Sequence, residues 1–116
     1  MSDLLGLNAV AARKALDKKA ISAVELTTEY LRAAEATAGL NNYVAMTADH
    51  ALAMAVESDK RIASGAAGVL EGLPIGVKDL FCTKGISSTA CSNILQGFVP
   101  TYESTVTANL WAAGGV

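Results

Sequence analysis

Apolar residues recur at helical spacing up to about Ser64, alternate with glycine and polar positions over a short run near Lys78, and return to helical spacing near the end. The first helix is predicted over residues 8–18, with Asn8 placed to cap it and Leu7, Val10, Ala11, Ala15 and Leu16 as its apolar stripe. A second begins at Ser22, because Ser22-Ala23-Val24-Glu25 is a capping box in which each side chain answers a backbone N–H of the first turn. Gly39 is predicted to end it. Val24, Thr28, Leu31 and Ala34 fall on one side, with Glu25, Glu29, Arg32 and Glu35 mostly on the other. Thr47 opens a third helix to about Ser64. There Ala48, Ala51, Leu52, Ala55 and Ile62 recur at helical spacing, Glu57, Lys60 and Arg61 face water, and Asp59 falls near the apolar side, where it would hydrogen-bond locally.

Two runs read as strands. After the turn signal Asn41-Asn42, Tyr43-Val44-Ala45-Met46 has aromatic and β-branched content. After the Gly65-Ala66-Ala67-Gly68 break, Leu73, Ile75 and Val77 alternate with Pro74, Gly76 and Lys78. Lys78 therefore shares a face with Gly76, whose missing side chain leaves room. Hydroxyl residues dominate the loop that follows, from Thr83 to Asn93. Ser104 is placed to cap a last helix running through Val106, Leu110, Trp111 and Ala113 to Gly114-Gly115. Helix, glycine turn and Val116 would lead into another strand, so the chain reads as cut off. The expected class is α/β, and residues 1–116 form one domain or the first part of one.

Composition narrows the function. The chain is 52% hydrophobic with only 5% aromatic residues, which suits close helix packing. No apolar run approaches the roughly 18 residues of a membrane span, and the start Met1-Ser2-Asp3 lacks the positive region of a secretory signal. A cytoplasmic protein with no membrane partner is expected. A net charge of −2 gives no general attraction for a polyanion. The cluster Arg13, Lys14, Lys18, Lys19 reads as a solvated helix end. Cys82, Cys91 and a single His50 are too few for a disulfide framework or a metal site, so reduced thiols and no metal are expected.

Lys78 is the candidate for chemistry. Gly72 and Gly76 precede it, but the phosphate-loop order fails because Val77 separates glycine from lysine and the anionic Asp79 follows. The S-x-x-K arrangement fails too, since no lysine has serine three residues before it. A Cys-His nucleophile from Cys82 or Cys91 with His50 stays open by spacing alone. Composition alone favours a solvated charge for Lys78. Its setting between an apolar strand and a hydroxyl-rich loop points instead to a desolvated lysine, able to act as a neutral base toward a hydroxyl nucleophile.

Gly72-Leu73-Pro74-Ile75-Gly76-Val77-Lys78-Asp79, then Cys82-Thr83-Lys84-Gly85 and Ser88-Thr89, then Phe98 to Val106, Leu110 and Ala113-Gly114 resemble the early segment of amidase-signature enzymes. The Ser22-to-Leu31 helix, Asn42-Tyr43-Val44-Ala45-Met46 and the Phe98-Pro100-Tyr102 region are most similar to the glutaminase subunits of tRNA-dependent amidotransferases within that family. The resemblance implies that residues 1–116 are the N-terminal part of a single amidase-signature domain. Its helices would accompany the first strands of a mixed sheet. Lys78 matches the lysine of a relay with a bridging serine, whose preceding peptide bond is cis, and a nucleophilic serine. Both serines would lie beyond Val116, which implies that this segment alone is inactive.

Leu80 stands where the family often has asparagine and removes the hydrogen bond such a side chain would offer. Ser87, Ser88 and Ser92 match no nucleophile and are expected to bond loop backbone. The resemblance further implies glutamine as substrate, two partner subunits, tRNA held mainly by a partner, and ATP and Mg at a partner subunit, with no cofactor bound by this segment. The residues supply no substrate-binding assignment. A stand-alone amidase for another carboxamide and a small non-enzymatic α/β interaction module are the competing readings.

Overall fold

The caps written in the sequence set the helices. A computed structural model describes residues 3–116; Met1 and Ser2, part of the acidic start, lie outside the described residues. After a 3-10 turn at Leu4–Gly6, α1 spans Ala9–Asp17, and the Ala11 N–H donates to the Asn8 carboxamide at 2.9 Å. α2 spans Ala23–Ala36 behind the expected capping box: Glu25 N donates to Ser22 Oγ at 3.0 Å, and Ser22 N donates to Glu25 Oε2 at 2.8 Å. It ends at Thr37, whose hydroxyl donates to Ala33 O at 2.8 Å, and Gly39 lies in the 3-10 turn Ala38–Leu40. α3 spans Ala48–Ser64 and stops at Gly65 in the left-handed conformation, but Thr47 makes no side-chain cap bond. α4, Thr105–Ala112, is capped by Ser104, which accepts from Thr107 N at 3.1 Å.

The buried faces match those that apolarity predicted only in part: Leu16 and Ala55 are buried and Leu7, Val24, Ala51 and Ile62 pack against the core, while other positions differ. α1 buries Ala12 and Leu16 while Val10 is exposed; α2 buries Ala23, Leu26 and Thr27 while Thr28 is exposed; α3 buries Ala55 and Ser58. Small residues occupy part of this core: Ala23 of α2 and Ala55 of α3 are each 0% exposed, and the two helices pack against each other. Asp59 reaches across that contact. Its carboxylate accepts from Ala23 N at 2.7 Å and Val24 N at 3.2 Å, so the first-turn donors of α2 are met from both its own cap and α3.

The expected α/β class is not found: the described residues are helical, with no strand and no sheet. Tyr43–Met46 is exposed and bends at Val44. Leu73–Lys78 is extended and pairs only at its start, where Ile75 N donates to Val116 O at 2.8 Å and Val116 N donates to Leu73 O at 2.9 Å. These two bonds make one parallel rung. A strand is defined by neighbours that continue the ladder, and none of the described residues supplies a second rung. The same C-terminal segment runs beside residues 70–75, with Leu70 N bonded to Ala113 O and Gly72 N to Gly114 O, both at 2.9 Å. Val116 thereby joins Leu16, Leu26, Ala55 and Leu73 in the core.

Beneath this segment lies Glu71, 1% exposed. Its carboxylate accepts from Arg61 Nε at 2.9 Å, pairs with Arg61 Nη2 at 2.7 Å and accepts from Gly68 N at 2.9 Å; Arg13 donates to its backbone carbonyl. Of Arg61 and Arg13, both expected to face water, Arg61 is turned toward this anion and Arg13 toward the Glu71 backbone carbonyl.

Candidate functional site

The stretch Gly72 to Thr83 carries the site because its two ends are fixed and its middle is open. Gly72 takes a positive φ of 74° and packs against Ala23 and Leu16, where a Cβ would lie 2.9 Å from the alanine methyl. From there the chain runs extended, burying Leu73, half-burying Ile75 and Val77, and leaving Gly76 and Lys78 exposed. It then turns, with Phe81 N donating to Lys78 O at 3.0 Å. The alternation read from the sequence holds from Ile75 to Lys78, whereas Pro74 is half-buried like Ile75, and the ladder does not form.

Lys78 borders a cleft of about 490 Å³ between α2, the start of α3 and this extended run. Tyr30, Leu31, Tyr43, Met54, Val77 and Trp111 make its walls largely apolar, and Ser87, Ser88, His50 and Cys91 bring polar atoms to it. Among the described residues no carboxylate pairs with the Lys78 ammonium. The desolvation expected for this lysine is not supplied here, because Lys78 is exposed.

Asp79 is organised differently. Its carboxylate accepts from Thr89 N at 3.0 Å, from the Thr89 hydroxyl and from Cys91 N at 3.4 Å, while its carbonyl accepts from Ala90 N at 3.1 Å. The Thr89 hydroxyl bond, with the amides of Thr89 and Cys91, holds this carboxyl below the usual aspartate value against a small opposing effect of burial. In the sequence Asp79 excludes phosphate and belongs to the family motif, but has no structural role of its own; a carboxylate ten residues before a threonine in a hydroxyl-rich loop is the available signal.

The loop serines behave as expected where bonds are seen. Ser88 is buried, accepts from Thr83 N at 3.4 Å and donates to Ile86 O at 3.2 Å; Ser92 accepts from Ile94 N at 3.3 Å. His50 and Cys91 both border the cleft, yet no hydrogen bond joins them among the described residues, and Cys82 instead donates its thiol to Tyr102 Oη at 3.5 Å. No group of three or more His, Cys, Asp or Glu that could hold a metal ion is gathered among the described residues. Among the same residues no helix is long and apolar enough to cross a membrane.

A family model described as Amidase matches residues 25–116. The chain belongs to the amidase family. Among curated proteins it is 58% identical over 116 residues to a glutamyl-tRNA(Gln) amidotransferase subunit from Parvibaculum lavamentivorans, covering 100% of this chain and 24% of that protein. It is 59% identical over 117 residues to the protein of the same name from Brucella ovis, again covering 100% of this chain and 24% of the relative. The chain thus spans about a quarter of the length of these relatives and corresponds to their N-terminal region. Among solved structures it matches one described as "An unexpected vestigial protein complex reveals the evolutionary origins of an s-triazine catabolic enzyme", with a TM-score of 0.89 and 31% identity. That match covers 95% of this chain and 25% of the other. An inhibitor-bound form of the same complex matches equally.

Proposed function

We propose that this chain is the base-bearing N-terminal segment of a glutaminase subunit in a tRNA-dependent amidotransferase. The full subunit would hydrolyse glutamine and deliver ammonia for the ATP-dependent conversion of Glu-tRNA(Gln) to Gln-tRNA(Gln) in the cytoplasm, with two partner subunits, one of them holding most of the tRNA. The observation that carries this reading is identity of 58–59% along the whole chain with proteins bearing the amidotransferase name. The position of Lys78 supports it: an amine without a carboxylate partner among the described residues, on the edge of a cleft able to admit a small amide.

In this reading Lys78 takes a proton through a bridging serine from a nucleophilic serine, both contributed by the rest of the subunit. The serine oxygen attacks the side-chain carbonyl of glutamine, the C–N bond breaks as the nitrogen gains the proton, and ammonia leaves. Water then cleaves the acyl-enzyme to give glutamate. The exposure of Lys78 in this segment fits a base that the remainder of the domain must cover before its charged form is disfavoured.

The test is ammonia release from glutamine by the full-length subunit purified with its partners, followed by amide formation on Glu-tRNA(Gln). Both are expected, and release from glutamine without any transfer to tRNA would reject the amidotransferase assignment. The second reading is a stand-alone amidase for another carboxamide; the likeness to a structure tied to an s-triazine catabolic enzyme supports the different substrate, while that structure is itself a complex. Its 31% identity against 58–59% ranks it below the first. Recovery of the full-length subunit without partners, with turnover of another amide and none of glutamine, would reverse that order.

A further inference from the structure

Asp79 follows Lys78 directly, yet its carboxylate is turned to the loop at residues 89–91. One oxygen accepts from Thr89 N at 3.0 Å; the other accepts the Thr89 hydroxyl and Cys91 N at 3.4 Å. Thr89 Oγ1 also accepts from Cys91 N at 3.2 Å, and the Asp79 carbonyl accepts from Ala90 N at 3.1 Å. The loop so held is an unfavourable one, because Ala90 and Cys91 take positive φ values of 47° and 54° in succession without being glycine. Two consequences concern Lys78. Cys91 on the clamped loop, and Ser87 and Ser88 just before it, line the same cleft as the lysine. And a carboxylate satisfied by three donors does not ion-pair with its neighbour, whereas a free one would hold the amine protonated and unfit to accept a proton.

We propose that Asp79 is a positioning residue for Lys78: with Thr89 as its partner it clamps residues 89–91, fixing the cleft edge beside the lysine and keeping its own carboxylate off the amine. This rests on the reading of Lys78 as the base. The test uses the full-length subunit with Asp79→Ala, Thr89→Ala, Thr89→Ser and the Asp79→Ala/Thr89→Ala pair. Hydrogen exchange over residues 87–92 is measured together with ammonia release from glutamine and, in parallel, from a simple aliphatic amide.

Expected are faster exchange in that loop and a fall in kcat of roughly 10–100-fold for Asp79→Ala and Thr89→Ala, as for other supports of a reacting group. KM should stay within about threefold of the unaltered protein, since substrate contacts are untouched. Thr89→Ser, which keeps the hydroxyl, should recover most of the rate, and the pair should be no worse than Asp79→Ala alone. If Asp79→Ala fails to fold, the two Thr89 variants carry the same comparison. Unchanged loop exchange, an unchanged kcat, or losses that simply multiply would each overturn the positioning role while leaving Lys78 intact. An unaltered protein inactive on both amides would instead defeat the reading of Lys78, and the positioning role with it.

Discussion

Glu71 is a carboxylate in the interior, and its surroundings explain why it stays charged. Burial pushes its pKa up, but the Arg61 guanidinium and the Gly68 N–H outweigh that and leave it below the ordinary 4.5. Gly114, at φ 95°, passes so close that a Cβ there would lie 2.5 Å from Glu71 Oε2, so the glycine is needed both for its conformation and for space. Because the folded state holds fewer protons on this group than the unfolded chain does near pH 4.5, its contribution to stability is fully present above that pH. It is lost as pH falls through the lowered folded value. The thermal midpoint of the full-length protein is therefore expected to drop on acidification from about pH 5.5 to 3.5. Glu71→Gln should flatten this acid limb while lowering the midpoint at neutral pH; an unaltered acid limb in the variant would reject the assignment. None of this was legible in the sequence. Arg13, Arg61, Glu71 and Gly114 share no periodicity, and Arg61 occupies a helix position whose neighbours Glu57 and Lys60 do face water.

At the scale of elements, what was local was legible. Asn8, Ser22 with Glu25, and Ser104 cap the helices as read, since each acts within three residues of itself. What depended on a distant partner was not. Asp59 lies 36 residues from the amide it meets at Ala23, and the sequence showed its odd placement without showing the helix end it serves. The expected strands failed for the same reason: alternation in Leu73–Lys78 put Lys78 on the face of Gly76, and both are exposed, but a ladder requires partners, and one rung at Val116 is all that the described residues provide. The double support of α2 yields an ordering. Asp59→Ala strips two first-turn amides of a half-buried acceptor and should cost about 1–3 kcal/mol, whereas Ser22→Ala removes one exposed cap at about 1 kcal/mol. Denaturant midpoints of the two variants check this, and an equal or reversed order would show that the helix end is open to water.

The whole molecule is extended and rich in exposed apolar surface. Its radius of gyration is 14.7 Å, against roughly 13 Å for a compact domain of this length. Ile94 is 94% exposed, Val69 81% and Leu40 73%. Two residues lining the cleft beside Lys78, Thr27 and Trp111, have buried polar atoms, Oγ1 and Nε1, that meet no hydrogen-bond partner among the described residues. In isolation the 116-residue chain is accordingly expected to bind a hydrophobic dye, to melt over a broad range, and to release no ammonia from glutamine. A sharp transition without dye binding would favour a self-sufficient interaction module. The family could be read from the Gly72-to-Gly114 motifs, and the cleft could not, because it is assembled from α2, α3 and the loop after Lys78. The central claim concerns that lysine, and it is tested most directly by ammonia release from glutamine by the full-length subunit carrying Lys78→Ala or Lys78→Arg. Both are expected to lower kcat by roughly 10²–10⁴-fold, the arginine variant because a guanidinium keeps its proton. A rate within about threefold of the unaltered protein in either variant would contradict the role of Lys78 as the base.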